Sequence, residues 1–416
     1  MKKLFNCFLL FLMTLSYLSF PVAAEEKKYD NIAKHAIAIE VRTGKILYEK
    51  DAHKVTGIAS TTKLITAYLV LEAIKDGDLK LDDKVKLSDY PWELAINALS
   101  SNVPMNKREY TVTQLLDAMI ISSSNSAAIA LAERLAGTEP KFVDLMRKKV
   151  ESWGIKDAKL YTASGLDNQV LGEHRYPNSD PEAENMMSAY DLAIVAKHIL
   201  EDHPEIIDYT SKNTADFDGT TLITTNIMLE GMTRNRAGVD GLKTGSSGNF
   251  GDSFVASSHE HGMHLVTVVL GVDNTEDIDA RFVATASLMN WVNQNYYTNI
   301  LAKEEDTYDN KKSPVINGKK DSVKALAKED IYVIQRRENM NEPKVTINYK
   351  TPGYEAPIKK GQDVGSLTFK EDDPQGVKYI DNKMPTFTLE AGEPVERSFF
   401  LRVWWNEFVR YVNEKL

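Results

Sequence analysis

The chain has 416 residues, and 50 lysines and arginines against 60 aspartates and glutamates leave a formal charge of −10. That balance excludes a general nucleic-acid binder, which needs a basic footprint. With 43% apolar and 26% charged residues, the composition is that of a globular protein with material for a large core in two domains, not of a disordered or fibrous chain.

Lys2 and Lys3 precede an apolar stretch over residues 4–20, and Val22, Ala23 and Ala24 supply the small residues of a signal-peptidase site. Residues 1–24 therefore read as a signal peptide, cleaved after Ala24 rather than kept as an anchor, and the protein is expected to be exported. The single cysteine, Cys7, lies inside that segment. The exported chain then has no thiol for a disulfide, a thiolate metal site or a cysteine nucleophile.

Residues 36–41 and 46–48 are short β-branched runs around Arg42-Thr43-Gly44-Lys45 and predict a hairpin. A helix follows over 60–75. Its Leu64, Ala67, Tyr68, Leu71 and Ile74 recur at helical spacing, and Leu69 and Val70 widen the apolar face until the helix must be central. Residues 112–137 read as helix, break, helix, the break being Ser122-Ser123-Ser124-Asn125-Ser126, whose side chains compete with the helical backbone for hydrogen bonds. Three strands are predicted over 239–244, 253–258 and 264–272, the last two joined through His261-Gly262, and a helix over 280–292. Strands at both ends with helices between them predict an α/β sandwich with an antiparallel sheet, residues 25–301.

Beyond residue 301 the texture turns to Lys, Asp and Glu with Pro314 and reads as a linker. Short alternating runs at 331–334, 345–349, 364–369 and 387–389 then predict a small all-β C-terminal domain, residues 302–394. It fits either a spacer or a partner-binding module. In the last segment, 395–416, Phe400, Leu401, Trp404, Trp405, Phe408, Val409, Tyr411, Val412 and Leu416 fall on one half of a helical wheel, with four basic and two acidic residues from Arg397 on. No apolar run approaches the ~20 residues that span a bilayer. The helix can dock on its own protein or lie on a membrane, and its tryptophans and interleaved arginines favour the membrane surface.

Ser60-Thr61-Thr62-Lys63 is the one Ser-x-x-Lys of the chain. In the first turn of a helix, i and i+3 share a face, so the Lys63 amine can reach the Ser60 hydroxyl. A serine is a poor nucleophile until a base takes its proton, and a lysine of lowered pKa can be that base. Ser60 is expected buried beside Lys63, Ser123 and Lys243. Lys243-Thr244-Gly245, also unique, closes a strand whose edge can pair with an extended peptide while a cation and a hydroxyl meet a carboxylate. Ser-x-Asn matches at Ser100, Ser123, Ser211 and Ser247; Ser123-Ser124-Asn125 is chosen because it sits in the break between two apolar helices.

With these elements in this order, the chain resembles the penicillin-recognising serine enzymes, and within them the low-molecular-mass penicillin-binding proteins that are D-alanyl-D-alanine carboxypeptidases. The run Phe399-Phe400-Leu401-Arg402-Val403-Trp404-Trp405-Asn406 is similar to tails of that family in Gram-positive cocci. The resemblance implies a β-lactamase-type fold, with Ser60 the acylated nucleophile and Lys63 its base. Ser123 and Asn125 would relay protons and hold the substrate amide, Lys243 and Thr244 would bind the terminal carboxylate, and the backbone N–H groups of Ser60 and Ser246 would form the oxyanion hole. Arg281 matches a family arginine near the carboxylate, though a surface arginine at a helix start fits equally.

The implied reaction removes the terminal D-Ala of a peptidoglycan stem pentapeptide through an acyl-serine, with β-lactam antibiotics as covalent inhibitors. No metal or other cofactor and no nucleic acid is implied, and the place of action is the outer face of the cytoplasmic membrane. Rivals are a β-lactamase, whose class A Glu-x-x-Leu-Asn element is missing here, a transpeptidase, and a non-catalytic wall-associated binding protein. The eight histidines lie outside all three motifs and there is no Gly-x-Ser-x-Gly, which disfavours a Ser-His-Asp hydrolase. His259, His261 and His264 cluster at a hairpin, where a metal site or a solvated turn fits; no acidic residue stands at a recognisable ligand spacing, which favours the turn.

Overall fold

Side-chain alternation builds the central sheet. Strands β1 (His35–Glu40) and β2 (Ile46–Lys50) form the expected hairpin, and β3 (Val239–Ser247), β4 (Gly251–Glu260) and β5 (Met263–Val272) complete an antiparallel sheet in the order β2-β1-β5-β4-β3. The computed structural model describes residues 29–96, 101–338, 342–371 and 377–415, and the expected signal segment and Leu416 lie outside them. From Asn31 onward the chain forms one unit.

Cross-strand partners share a face. Ile37 opposes Val268 and Ile39 opposes Val266, and with Val255 and Leu270 they join the main core cluster beneath helix α5 (Ala189–Asp202). On the other face Phe254 meets Phe282 edge-on at 5.4 Å, under helix α6 (Ala280–Asn295). This is the α/β sandwich that the sequence predicts. On the α5 side, packed against that helix, runs α1 (Lys63–Asp76), whose residues 63–71 are all buried before Gly77 ends the helix in a left-handed conformation. Helices α2 (Val112–Ile121) and α3 (Asn125–Ala136) flank the serine-rich break; a Thr111–Gln114 capping box starts the first, and the Ser124 hydroxyl caps the second by accepting from the Ala127 N–H. Helix α4 (Glu139–Ser152) follows.

The segment read as a linker is instead part of the second β-structure. Strand β6 (Tyr296–Ala302) pairs with β9 (Ile331–Arg336), and β7 (Lys312–Ile316), β8 (Ser322–Ala327), β10 (Lys344–Asn348), β11 (Tyr354–Glu355), β12 (Asp363–Lys370) and β13 (Thr386–Ala391) form a six-stranded sheet in the order β10-β12-β13-β8-β7-β11. Pro314 is tolerated inside β7 because β11 pairs only with Val315 and Ile316, so its missing N–H interrupts no ladder on that side. The charged run before the strand and Pro314 within it disguised the alternation, for Ser313 and Val315 are buried.

The two β-structures meet over the 42–45 turn. Glu40 is fully buried; its carboxylate accepts from the Tyr332 hydroxyl at 2.9 Å and from the Thr43 N–H and hydroxyl at 2.7 and 2.6 Å. Lys45, 2% exposed, pairs with Glu371 at 2.5 Å and donates to the Ile334 carbonyl. After a β-bridge at Arg397, helix α7 (Phe400–Lys415) leaves Phe400, Leu401, Trp404, Trp405, Phe408 and Tyr411 exposed and buries Val403. No described helix is long and apolar enough to cross a membrane.

Glu371→Ala leaves the Lys45 ammonium buried without its counter-ion. The expected loss in chemical unfolding is about 3–5 kcal/mol, while Lys45→Met with Glu371→Leu recovers most of it. An unchanged unfolding midpoint for the single variant would show that the pair does not hold the two parts together.

Candidate active site

Ser60 lies in a 3-10 turn (Ala59–Thr62) that runs straight into α1. The turn is set from outside: Thr56–Gly57 pairs with Met186–Met187, and the Ile58 N–H donates to the Asn185 carbonyl at 3.0 Å. The Asn185 amide also donates to the Thr62 hydroxyl and the Thr162 carbonyl and accepts from the N–H groups of Tyr161 and Thr162. One side chain thus ties the serine turn to the 162–166 loop. Ser60 itself is half-buried rather than buried, because it opens on a cleft of about 290 Å³ that Ser123, Thr244, Gly245, Ser246 and Arg281 also line.

Lys63 is fully buried. Its Nζ lies 2.9 Å from Ser60 Oγ, 2.7 Å from Asn125 Oδ1 and 2.7 Å from the Ser164 carbonyl. Burial first, then the Lys243 ammonium, hold its pKa well below the usual lysine range. A neutral amine has two N–H bonds and one lone pair. Asn125 Oδ1 and the Ser164 carbonyl only accept, so they take both N–H bonds and leave the lone pair facing the Ser60 hydroxyl.

The Ser164 carbonyl can come this close because Gly165 has φ +81°, and a Cβ there would stand 1.9 Å from the Ala59 carbonyl oxygen. From behind, the buried Glu139 carboxylate accepts from the Ala163 N–H at 2.8 Å and from the Tyr90 hydroxyl at 3.1 Å; burial pushes its pKa up to about 7. Ser123, at φ +59° in the break between α2 and α3, is buried. Of the four Ser-x-Asn matches this one reaches Lys63. Ser211 ends a short helix on the surface and Ser247 bonds to Glu184, whereas Ser100 lies outside the described residues.

The opposite wall is β3, an edge of the five-stranded sheet. Its Lys243 is buried, with Nζ 3.2 Å from the Thr244 carbonyl; burial and then the Arg281 guanidinium lower its pKa to about 7. The Thr244 hydroxyl is 2.7 Å from that of Thr225. Gly245 lets the strand approach the serine turn, since a Cβ would meet the Ile58 carbonyl at 3.0 Å. Arg281 is no surface arginine. It donates to the Gly245 carbonyl at 2.7 Å and pairs with Asp252, and its Nε is buried without a partner among the described residues.

Sequence reading missed Ser164, Gly165, Thr225 and Asp252. The small residues Ala163-Ser164-Gly165 were the only signal for any of them.

Acylation through Lys63 needs its neutral form, so labelling by a fluorescent penicillin is expected to rise as pH climbs through a titration well below the ordinary lysine range. Lys243→Met removes a neighbouring positive charge, raises the Lys63 pKa and moves that limb to higher pH. A limb left in place by the substitution would assign the titration to another group.

Residues 22–274 match the family model described as D-alanyl-D-alanine carboxypeptidase, and residues 296–397 match that of the penicillin-binding protein 5 C-terminal domain. The D-alanyl-D-alanine carboxypeptidase DacF of Bacillus subtilis is 30% identical over 385 residues, spanning 89% of this chain and 91% of the relative. Among solved structures, a peptidoglycan synthesis regulatory factor (PBP3) from Streptococcus pneumoniae is 45% identical with a TM-score of 0.85, covering 88% of this chain and all of that one. Penicillin binding protein 5 from Haemophilus influenzae is 26% identical with a TM-score of 0.66, covering 89% and 99%. The chain belongs to the serine-type D-alanyl-D-alanine carboxypeptidase family, the low-molecular-mass penicillin-binding proteins.

Proposed function

We propose that the chain removes the terminal D-Ala from peptidoglycan stem pentapeptides through an ester on Ser60, and so limits cross-linking of the wall. The carrying observation is the buried Lys63 amine 2.9 Å from Ser60 Oγ, with its other two directions occupied by acceptors. Ser60 attacks the carbonyl of the penultimate D-Ala as Lys63 takes its proton. The N–H groups of Ser60 and Ser246 stabilise the oxyanion. The proton passes by way of Ser123 to the departing amine, while Asn125 holds the substrate amide. Lys243, the Thr244 hydroxyl and Arg281 receive the terminal carboxylate, whose charge returns Lys243 to its protonated form. Gly245 keeps the edge of β3 open to the peptide, and water then cleaves the ester.

Among the described residues no carboxylate is hydrogen-bonded to Ser60 or Lys63. Deacylation therefore relies on the same lysine, which favours a long-lived penicillin adduct over β-lactamase turnover.

In the proposed division of labour, residues 25–301 carry catalysis, 302–394 form the β domain and 395–416 attach the exported protein to the outer face of the cytoplasmic membrane. The exposed aromatic face of α7 supports attachment, because docking on the chain itself would cover those rings.

D-alanine release from a Lys-containing stem pentapeptide by the purified full chain is expected to fall at least about 10⁴-fold in Ser60→Ala, with no cross-linked dimer from the wild type. Dimer formation would make the protein a transpeptidase; release that survives Ser60→Ala would end the assignment. Deleting residues 398–416 is expected to abolish flotation with anionic liposomes and leave penicillin labelling intact, and persistent flotation would place attachment elsewhere.

A further inference from the structure

At the start of β3, Asp240 faces two of the hairpin histidines. Asp240 is on the order of 20 Å from Ser246 at the other end of the strand, counted at about 3.3 Å per residue. His259 on β4 and His264 on β5 are directly opposite one another, their rings stacked at 3.9 Å. His259 Nδ1 is 2.9 Å from Asp240 Oδ2. The other carboxylate oxygen, Oδ1, is buried without a hydrogen-bond partner among the described residues, a costly state for a polar atom. One ligand-type atom from each of the three residues lies within 4.8 Å of the other two.

We propose that Asp240, His259 and His264 bind one divalent transition-metal ion, Zn²⁺ foremost, with water in the fourth position. Two imidazoles and a carboxylate are a donor set for zinc and its neighbours, whereas calcium and magnesium want oxygen ligands. Bonds of about 2.0–2.1 Å in a tetrahedron need ligand atoms about 3.3–3.4 Å apart, so the stacked His259 and His264 rings turn toward a common point on binding the ion. The ion replaces the proton between His259 and Asp240 and gives the carboxylate the positive partner it lacks.

The Ser257 hydroxyl, 3.0 Å from His264 Nε2, steadies that ring. His259 is 61% exposed and provides the entry path. The nearby Arg42 is already paired with Glu329. His261, the third histidine of the cluster, sits on the exposed turn outside the ligand set. The acidic ligand that no sequence spacing indicated is supplied by β3, 19 residues before His259.

The test is a titration of the untagged, chelator-stripped full chain with Zn²⁺ and with Co²⁺, followed by a chromophoric indicator and by the visible Co²⁺ spectrum. The wild type is expected to take up one ion per chain, with the absorption of a four-coordinate site and a raised Tm. His259→Ala and Asp240→Asn should each weaken uptake at least about 100-fold, and His261→Ala should leave it unchanged, with circular dichroism showing each variant folded. Absence of saturable one-to-one uptake overturns the proposal, as does uptake that survives His259→Ala or is lost equally in His261→Ala.

Discussion

Everything at the catalytic cleft depends on keeping an amine dry. Lys63 is buried with Lys243 close by and Arg281 beyond it, so water is excluded and like charges crowd together, both of which disfavour the ammonium. A carboxylate beside Lys63 would restore the proton and end its use as a base. Neutral acceptors surround it instead: the Asn125 side-chain oxygen and the Ser164 carbonyl. The buried Asp252 carboxylate is spent on Arg281. The fold thus meets the hydrogen-bonding needs of the lysines with dipoles and keeps the compensating charge one step away.

Such a cage needs close backbone approach from several directions. The serine turn, the α2–α3 break, the 162–166 loop and the edge strand β3 converge on Lys63 and Ser60, and two of these approaches require glycine. Gly165 brings a carbonyl to the amine and Gly245 brings β3 to the turn. Asn185 and Glu139 fix the loop from outside with side-chain bonds to its backbone, which rotates the Ser164 carbonyl inward without placing a charge next to Lys63.

The remainder of the molecule is arranged around that centre. The buried Lys45–Glu371 ion pair and the Tyr332–Glu40 hydrogen bond tie the C-terminal β-structure to the hairpin of the central sheet, giving a firm seat between the cleft and the aromatic helix α7. Strand β3 has polar side chains at both ends: the buried Lys243 and the cleft-lining Thr244 near one, and Asp240 with its two histidines at the other.

Local spacing made much of this legible in the sequence. The i, i+3 separation of Ser60 and Lys63, the all-round apolar pattern of α1, the three alternating strands and the 3.6-residue period of α7 are properties of short windows, and each is set by backbone geometry that every chain shares. Other features were invisible because desolvation and contact order are not local quantities. Lys63 and Ser164 are 101 residues apart; Arg281 reaches Gly245 across 36; Lys45 reads as a turn residue yet is buried against Glu371, 326 residues on. The strand at 312–316 read as a linker because the charged run before it and Pro314 within it hid a buried alternation. The sequence by itself singled out Ser60, Lys63 and Lys243 as the proposed nucleophile, base and cation. Sequence context chose Ser123-Ser124-Asn125 among the four Ser-x-Asn matches; only the tertiary structure decided how its Asn125 meets Lys63, how far burial lowers the lysines and which acid meets the histidines, since burial and partner distance exist only once distant segments are packed together.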